Sequence, residues 1–172
     1  LKSYAVTVVG AGLAGSEAAL TLAHAGCSVT LYEMRPSVQT EAHTTDKFCE
    51  LLCSNSLRGT GMECAPGILK WELEQGRSHI FAAALRHQVP AGGALAVDRV
   101  ALADDITAQI EAHPNITVKR EEVRTLAALP NAPTILAPGP LASPALAAEL
   151  ETLFGKHLYF YDAIAPIVRP SI

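Results

Sequence analysis

Residues Gly10-Ala11-Gly12-Leu13-Ala14-Gly15 fit the pattern G-x-G-x-x-G, and no other feature limits the fold as strongly. The hexapeptide follows a Val-rich apolar run, Tyr4–Val9, which predicts a buried strand. It opens an Ala- and Leu-rich stretch to about His24, with Ala18, Ala19, Leu22 and Ala23 at helical spacing and Gly26 as the stop. Ser28–Tyr32 predicts a second strand, and Glu33 ends it at the distance from the glycines that a dinucleotide fingerprint requires. Strand, tight turn, helix and strand between Tyr4 and Glu33 make a βαβ unit, whose crossover makes the strands parallel.

Each residue of the turn has its own physical requirement. Gly10 permits the tight turn, Gly12 lets backbone amides approach a pyrophosphate, and Gly15 lets the helix pack close to the strand. With Ala11, Leu13 and Ala14 they form a cradle at a helix N-terminus, where free N–H groups and the helix dipole favour phosphate. Glu33 is placed to accept hydrogen bonds from an adenosine ribose, and its charge disfavours a 2′-phosphate. The turn alone leaves two dinucleotide classes open, flavin and nicotinamide. Ile135-Leu136-Ala137-Pro138-Gly139 resembles the late strand and A-T-G turn of flavin-binding domains, with Pro138 in place of Thr. It reads equally as an ordinary strand-to-turn junction.

The rest of the chain predicts an α/β fold, Rossmann-like, with a mainly parallel sheet and helices on both faces. Residues 35–64 are polar, with no clear periodicity, and read as a long irregular segment. Helices are predicted from Pro66 to about Gln75, over Ser78–Arg86 and Arg99–Ala112, and from Pro144, capped by Ser143, to about Phe154. Val89–Val97 reads as a turn followed by a short apolar piece. Ile116–Val123, Thr134–Ala137 and Leu158–Tyr161 are further strand candidates.

Composition supports a folded chain: 49% of the 172 residues are hydrophobic and 17% charged. The formal net charge of −4 provides no basic footprint, so charge alone gives no pointer to nucleic acid. No apolar stretch is long enough for a membrane span, and the first residues lack a signal-peptide core. The spacings of the cysteines (Cys27, Cys49, Cys53 and Cys64) match no paired Cys-x-x-Cys pattern. Reduced thiols in a cytoplasmic setting are the expectation. The His43, Thr44 and Asp46 group fits no standard zinc spacing, so no metal site is assigned and the loop is expected to line the cofactor site.

Phe48-Cys49-Glu50-Leu51-Leu52-Cys53-Ser54-Asn55-Ser56-Leu57 is the most distinctive segment. Chemistry alone leaves Cys53 two readings, a thiol activated by nearby positive charge and a buried structural cysteine. Lys47 and Arg58 flank it, either favouring a thiolate or facing water. Arg35, next to Met34, pairs with a cofactor or sits on the surface. Gly92-Gly93 is backbone room near a cofactor or a plain turn, Asp98 a helix cap or a ligand, and Trp71 helix packing.

GAGLAGSEAA, LYEMRP, ELLCSNSL, PAGGALAVDR and YFYDAIAPIV, in that order over nearly the whole chain, resemble the bacterial folate- and FAD-dependent tRNA (uracil-5-)-methyltransferases. That family is related to the glucose-inhibited division protein group. The departures are Cys49 at a position of small residues, Cys64-Ala65 for Asn-Ala, His79 within an apolar piece, and Pro138. The resemblance implies FAD as cofactor, held by residues 10–15, Glu33, Met34 and Arg35. It implies 5,10-methylenetetrahydrofolate as carbon donor, NAD(P)H as reductant and the tRNA T-loop uridine as substrate, methylated at C5. Cys53 corresponds to one of two catalytic cysteines, and its expected role is to handle the C5 proton. The second cysteine, much of the tRNA- and folate-binding surface, and the remainder of the FAD domain are expected beyond Ile172, which makes residues 1–172 the N-terminal portion of that domain and inactive alone. The alternatives are a related FAD-dependent enzyme acting on the wobble uridine, against which Cys-Ser-Asn-Ser argues, and a non-catalytic FAD-binding fragment.

Overall fold

The computed structural model describes residues 4–155. Strand β1 (Ala5–Val9) runs into helix α1 (Leu13–His24), and the chain returns as β2 (Ser28–Tyr32). β1 pairs with β2 in parallel, Ala5 opposite Ser28 through Val9 opposite Tyr32. Two later strands complete the sheet: β6 (Ile116–Lys119) pairs with β2, and β7 (Thr134–Leu136) pairs with β1, both parallel. The order is β6-β2-β1-β7.

Strand alternation assigns each side chain to a face. Val8, Val29 and Leu31 enter one core cluster with Leu20 of α1, Ala83 and Ala84 of α3 (His79–Arg86) and Leu102, Ile106 and Ile110 of α4 (Arg99–Ala112). Val9 and Tyr32 enter the other, against Leu146 and Leu150 of α5 (Pro144–Phe154). Helices therefore cover both faces of a parallel sheet, in a Rossmann-like α/β fold. Leu102, Ile106 and Ile110 are fully buried, each contributing roughly 1.5–3 kcal/mol of transfer free energy.

Local chemistry sets the helix starts. Asp98 is a cap, its carboxylate accepting from Val100 N and Ala101 N, and Ser78 caps α3 by accepting from Phe81 N. Ser143 accepts from Leu146 N and caps α5, with proline in the first turn. Glu17 of α1 reaches across to α3 and accepts from Ser78 Oγ, His79 N and Ile80 N at 2.7–2.9 Å. Burial alone would raise the Glu17 carboxyl, but these donors outweigh it and hold it below the usual range. One carboxylate thereby joins two helices and neutralises an N-terminal dipole.

Several elements differ from the sequence expectation. The 35–64 segment contains a strand, β3 (Ser56–Gly59), and Gln88–Val89 and Ala94–Val97 form β4 and β5. These three make a separate antiparallel sheet in the order β3-β5-β4. Each is too short for alternation to be visible in the sequence. The strand expected over Ile116–Val123 stops at Lys119, because Val123 turns into the α5-side core. Gly92 adopts φ +61 in the turn between β4 and β5, which glycine accepts without strain. Trp71 on α2 (Ala65–Gln75) is 50% exposed, so it is not a packing residue among the described residues. The strand candidate Leu158–Tyr161 lies outside the described residues.

Candidate dinucleotide site

The glycine turn lies where β1 ends. Gly10 has φ +95, and a Cβ there would collide with the carbonyl oxygen of Ala137, just after β7. A Cβ at Gly15 would collide with the carbonyl oxygen of Gly10. Gly12 is different: a Cβ there would meet no atom within 4 Å. Gly12 is also the N-cap of α1, with no side-chain cap and no acid in the first turn. The amides of that turn have no intrahelical acceptor, so they present positive potential to the space Gly12 leaves open.

That space is a cavity of about 700 Å³. Gly10, Ala11, Gly12, Leu13 and Ala14 line it, together with Tyr32, Glu33, Met34 and Arg35. Cys53, Ser54 and Arg58 form part of the wall, as do Ala137-Pro138-Gly139. Gly15 stands behind the turn, where its role is helix packing. The structure thus brings together the glycine turn, the β2 acid, the cysteine loop and the late strand turn.

Glu33 is 5% exposed. Its Oε1 accepts from Arg35 N at 3.0 Å and Arg35 Nε at 2.9 Å, and its Oε2 accepts from Ala11 N at 3.0 Å. A carboxylate has about four acceptor positions, so three are filled and the remaining one is on Oε2. Burial would raise the Glu33 carboxyl, but the Arg35 guanidinium and the amides prevail and hold it low. It is held as an anion.

Arg35 is not the surface residue that one sequence alternative allowed. It is 1% exposed and paired on both sides, Nε to Glu33 and Nη1 to Glu50 Oε2 at 2.9 Å. Its guanidinium supports the acid rather than lying on the surface. His43 also lines the cavity, and burial together with the Arg35 charge lowers its pKa.

Cys53 is exposed, whereas Cys49 is buried and its thiol is pushed up to about 12 by burial. The two cysteines of the loop are therefore unlike: Cys49 is a packing residue and Cys53 is open to a reactant. Lys47 pairs with Asp104 at 3.0 Å instead of attending Cys53. Arg58 lines the cavity in a left-handed backbone conformation, φ +68, uncommon outside glycine. Glu50 was not singled out by sequence. Its signal was faint: an acid shortly before Cys53, downstream of a Thr-Thr pair. Among the described residues no group of three or more His, Cys, Asp or Glu is arranged to hold a metal, and no helix is long and apolar enough to cross a membrane.

A GidA structure from Aquifex aeolicus superposes with a TM-score of 0.60 at 18% identity, covering 80% of this chain and 25% of that one, which establishes the shared fold. A relative from Bacillus licheniformis, named methylenetetrahydrofolate–tRNA-(uracil-5-)-methyltransferase TrmFO, is 57% identical over 165 residues, 95% of this chain and 37% of its own length. The protein of the same name from Bacillus subtilis is 55% identical over 170 residues, 98% of this chain and 38% of its own length. The chain thus spans under two-fifths of the curated relatives it matches. The glucose inhibited division protein A family profile matches residues 5–171, and the chain belongs to that family.

Proposed function

We propose that this chain is the dinucleotide-binding part of an FAD-dependent enzyme that methylates a tRNA uridine at C5. The carbon comes from 5,10-methylenetetrahydrofolate and the reducing equivalents from NAD(P)H. The observation that carries the reading is the cavity itself. It joins an uncapped helix N-terminus at Gly12, a buried anionic Glu33 and an exposed Cys53 around one cavity. The names of relatives more than half identical to this chain favour the methyltransferase over a wobble-uridine enzyme.

The residues fit the cofactor. Gly12 leaves a cradle that a side chain would fill, and the amides of Gly12, Leu13 and Ala14 suit a diphosphate. The free acceptor position on Glu33 Oε2 suits one ribose hydroxyl, and Met34 offers an apolar side chain beside it. FAD, when bound, supplies the redox chemistry. The chain's own work is to hold the cofactor and present a thiol.

Cys53 is assigned to the proton at C5. A thiolate adding at uracil C6 makes C5 nucleophilic; a cysteine other than Cys53 has that role. Once C5 has gained the carbon substituent, its proton must leave, and Cys53, acting as a thiolate, takes it on Sγ and becomes a thiol. Cys53→Ala in the complete enzyme is expected to lower ribothymidine formation by about 10²–10⁴-fold, the range of a positioned proton-transfer group. Flavin absorbance should be retained. Undiminished turnover would remove Cys53 from the chemistry.

A further inference from the structure

A closed circuit of hydrogen bonds joins the glycine turn to the cysteine loop. Ala11 is held at both ends: its N–H donates to Glu33 Oε2, and its carbonyl accepts from Cys49 N at 2.9 Å. Glu33 accepts from Arg35, and Arg35 Nη1 donates to Glu50 Oε2. Glu50 follows Cys49 directly, so the ring closes through the backbone.

Glu50 is the junction of this ring. Besides Arg35, its carboxylate accepts from the amide and hydroxyl of Thr44 at 2.9 Å each, and from the amide and hydroxyl of Thr45 at 3.3 and 2.9 Å. These five donors occupy all its ordinary acceptor positions. On its other side the loop is pinned by Phe48 N donating to Thr107 Oγ1 at 2.9 Å. Arg120 lies over the Phe48 ring at 4.0 Å and donates to Asp46 O at 2.6 Å. The segment from Thr44 to Glu50 is therefore a fixed brace, and Cys53 follows shortly after it. Removing Glu50 would take the ring's carboxylate junction away and leave Arg35 with Glu33 and a longer bond, 3.3 Å, to the Thr45 carbonyl.

We propose that Glu50 is a positioning residue that couples occupation of the adenosine-diphosphate half of the site to the placement of Cys53, through the ring Ala11–Glu33–Arg35–Glu50–Cys49. The ring includes the Ala11 peptide and the Glu33 carboxylate, the groups that a diphosphate and a ribose would touch. Arg35 and Glu50 also line the cavity. Coupling of this kind requires an element whose arrangement both sites bias. The proposal rests on the dinucleotide reading above.

ADP is the probe, because it has no flavin ring to shield Cys53. The test measures ADP binding by calorimetry and the alkylation rate of Cys53 by iodoacetamide, resolved by mass spectrometry. ADP should slow Cys53 alkylation by about fivefold or more in the wild type, the lower end of ordinary coupling between sites. In Glu50→Gln the ADP effect should shrink to less than about twofold while ADP still binds, and Glu50→Asp, which keeps the charge, should recover part of it. A Glu50→Gln protein whose Cys53 responds to ADP as the wild type does would overturn the proposal. So would a wild type that binds ADP with no change at Cys53. If ADP fails to bind the wild type, the dinucleotide reading falls and the coupling with it. Hydrogen exchange on the wild type needs no variant: bound ADP should slow exchange at the Thr44, Thr45 and Cys49 amides, and unchanged exchange there would count against the ring.

Discussion

A methyl group added at Gly15 would run into the carbonyl oxygen of Gly10, and one added at Gly12 would point into open space. The two substitutions therefore fail in different places. Gly15→Val should destabilise the fold, since α1 must move off β1 and overpacking of this kind costs about 1–3 kcal/mol or more. A thermal melt should show a clear loss of stability, and an unchanged midpoint would mean the close packing of turn and helix is wrong. Gly12→Val should leave the melt near the wild type and act on the ligand instead. The same contrast separates the cysteines: Cys49 is buried with a raised pKa, and Cys53 is exposed at the cavity. Sequence left both readings open for Cys53, because only burial distinguishes a packed thiol from an available one.

At the scale of elements, α1, α3 and α4 meet at a group of histidines. His24, near the end of α1, stacks on His79 at 4.4 Å and lies edge-on to His113 at 4.7 Å. Burial lowers the pKa of His79, His24 and His113 lower it further, and Glu17 opposes them; burial and His24 lower His113. A folded-state pKa below the unfolded value of 6.5 means that the unfolded chain takes up protons first as pH falls. The stability these neutral rings confer is complete above 6.5 and is lost as pH falls through their lowered values. The paired carboxylates Glu17, Glu33 and Glu50, all held below 4.5, add a second loss at more acidic pH. The urea midpoint should therefore drop between pH 7.5 and 5.5, and His113→Gln should flatten that drop. A midpoint insensitive to pH across this interval would show that the cluster carries no linkage.

For the molecule as a whole, legibility followed the range of the interactions. The unit β1-α1-β2 was visible because each part is local: a Val run, a glycine turn, a helical Ala and Leu pattern and a terminal acid, all between Ala5 and Glu33. The caps Asp98 and Ser143 were visible for the same reason. The antiparallel sheet was not, since β3 pairs with β5 across a long stretch of chain and neither strand exceeds four residues. The Arg35–Glu50 pair and the Cys49–Ala11 bond join residues far apart in the chain, and no periodicity marks either. Sequence therefore located the walls of the site and not the bonds that tie them together. Trp71 misled because an aromatic residue on a helix suggests packing, whereas here it projects from a face with little burial.

The central claim is that main-chain amides at the start of α1 hold a diphosphate in the space beside Gly12. Calorimetric titration of FAD into the wild type and into Gly12→Val tests it most directly, with a thermal melt of each as the control for folding. The account predicts saturable binding by the wild type and loss of at least about 100-fold in affinity, roughly 2.7 kcal/mol, in a Gly12→Val protein that still melts like its parent. Equal FAD affinity in the two proteins would contradict it.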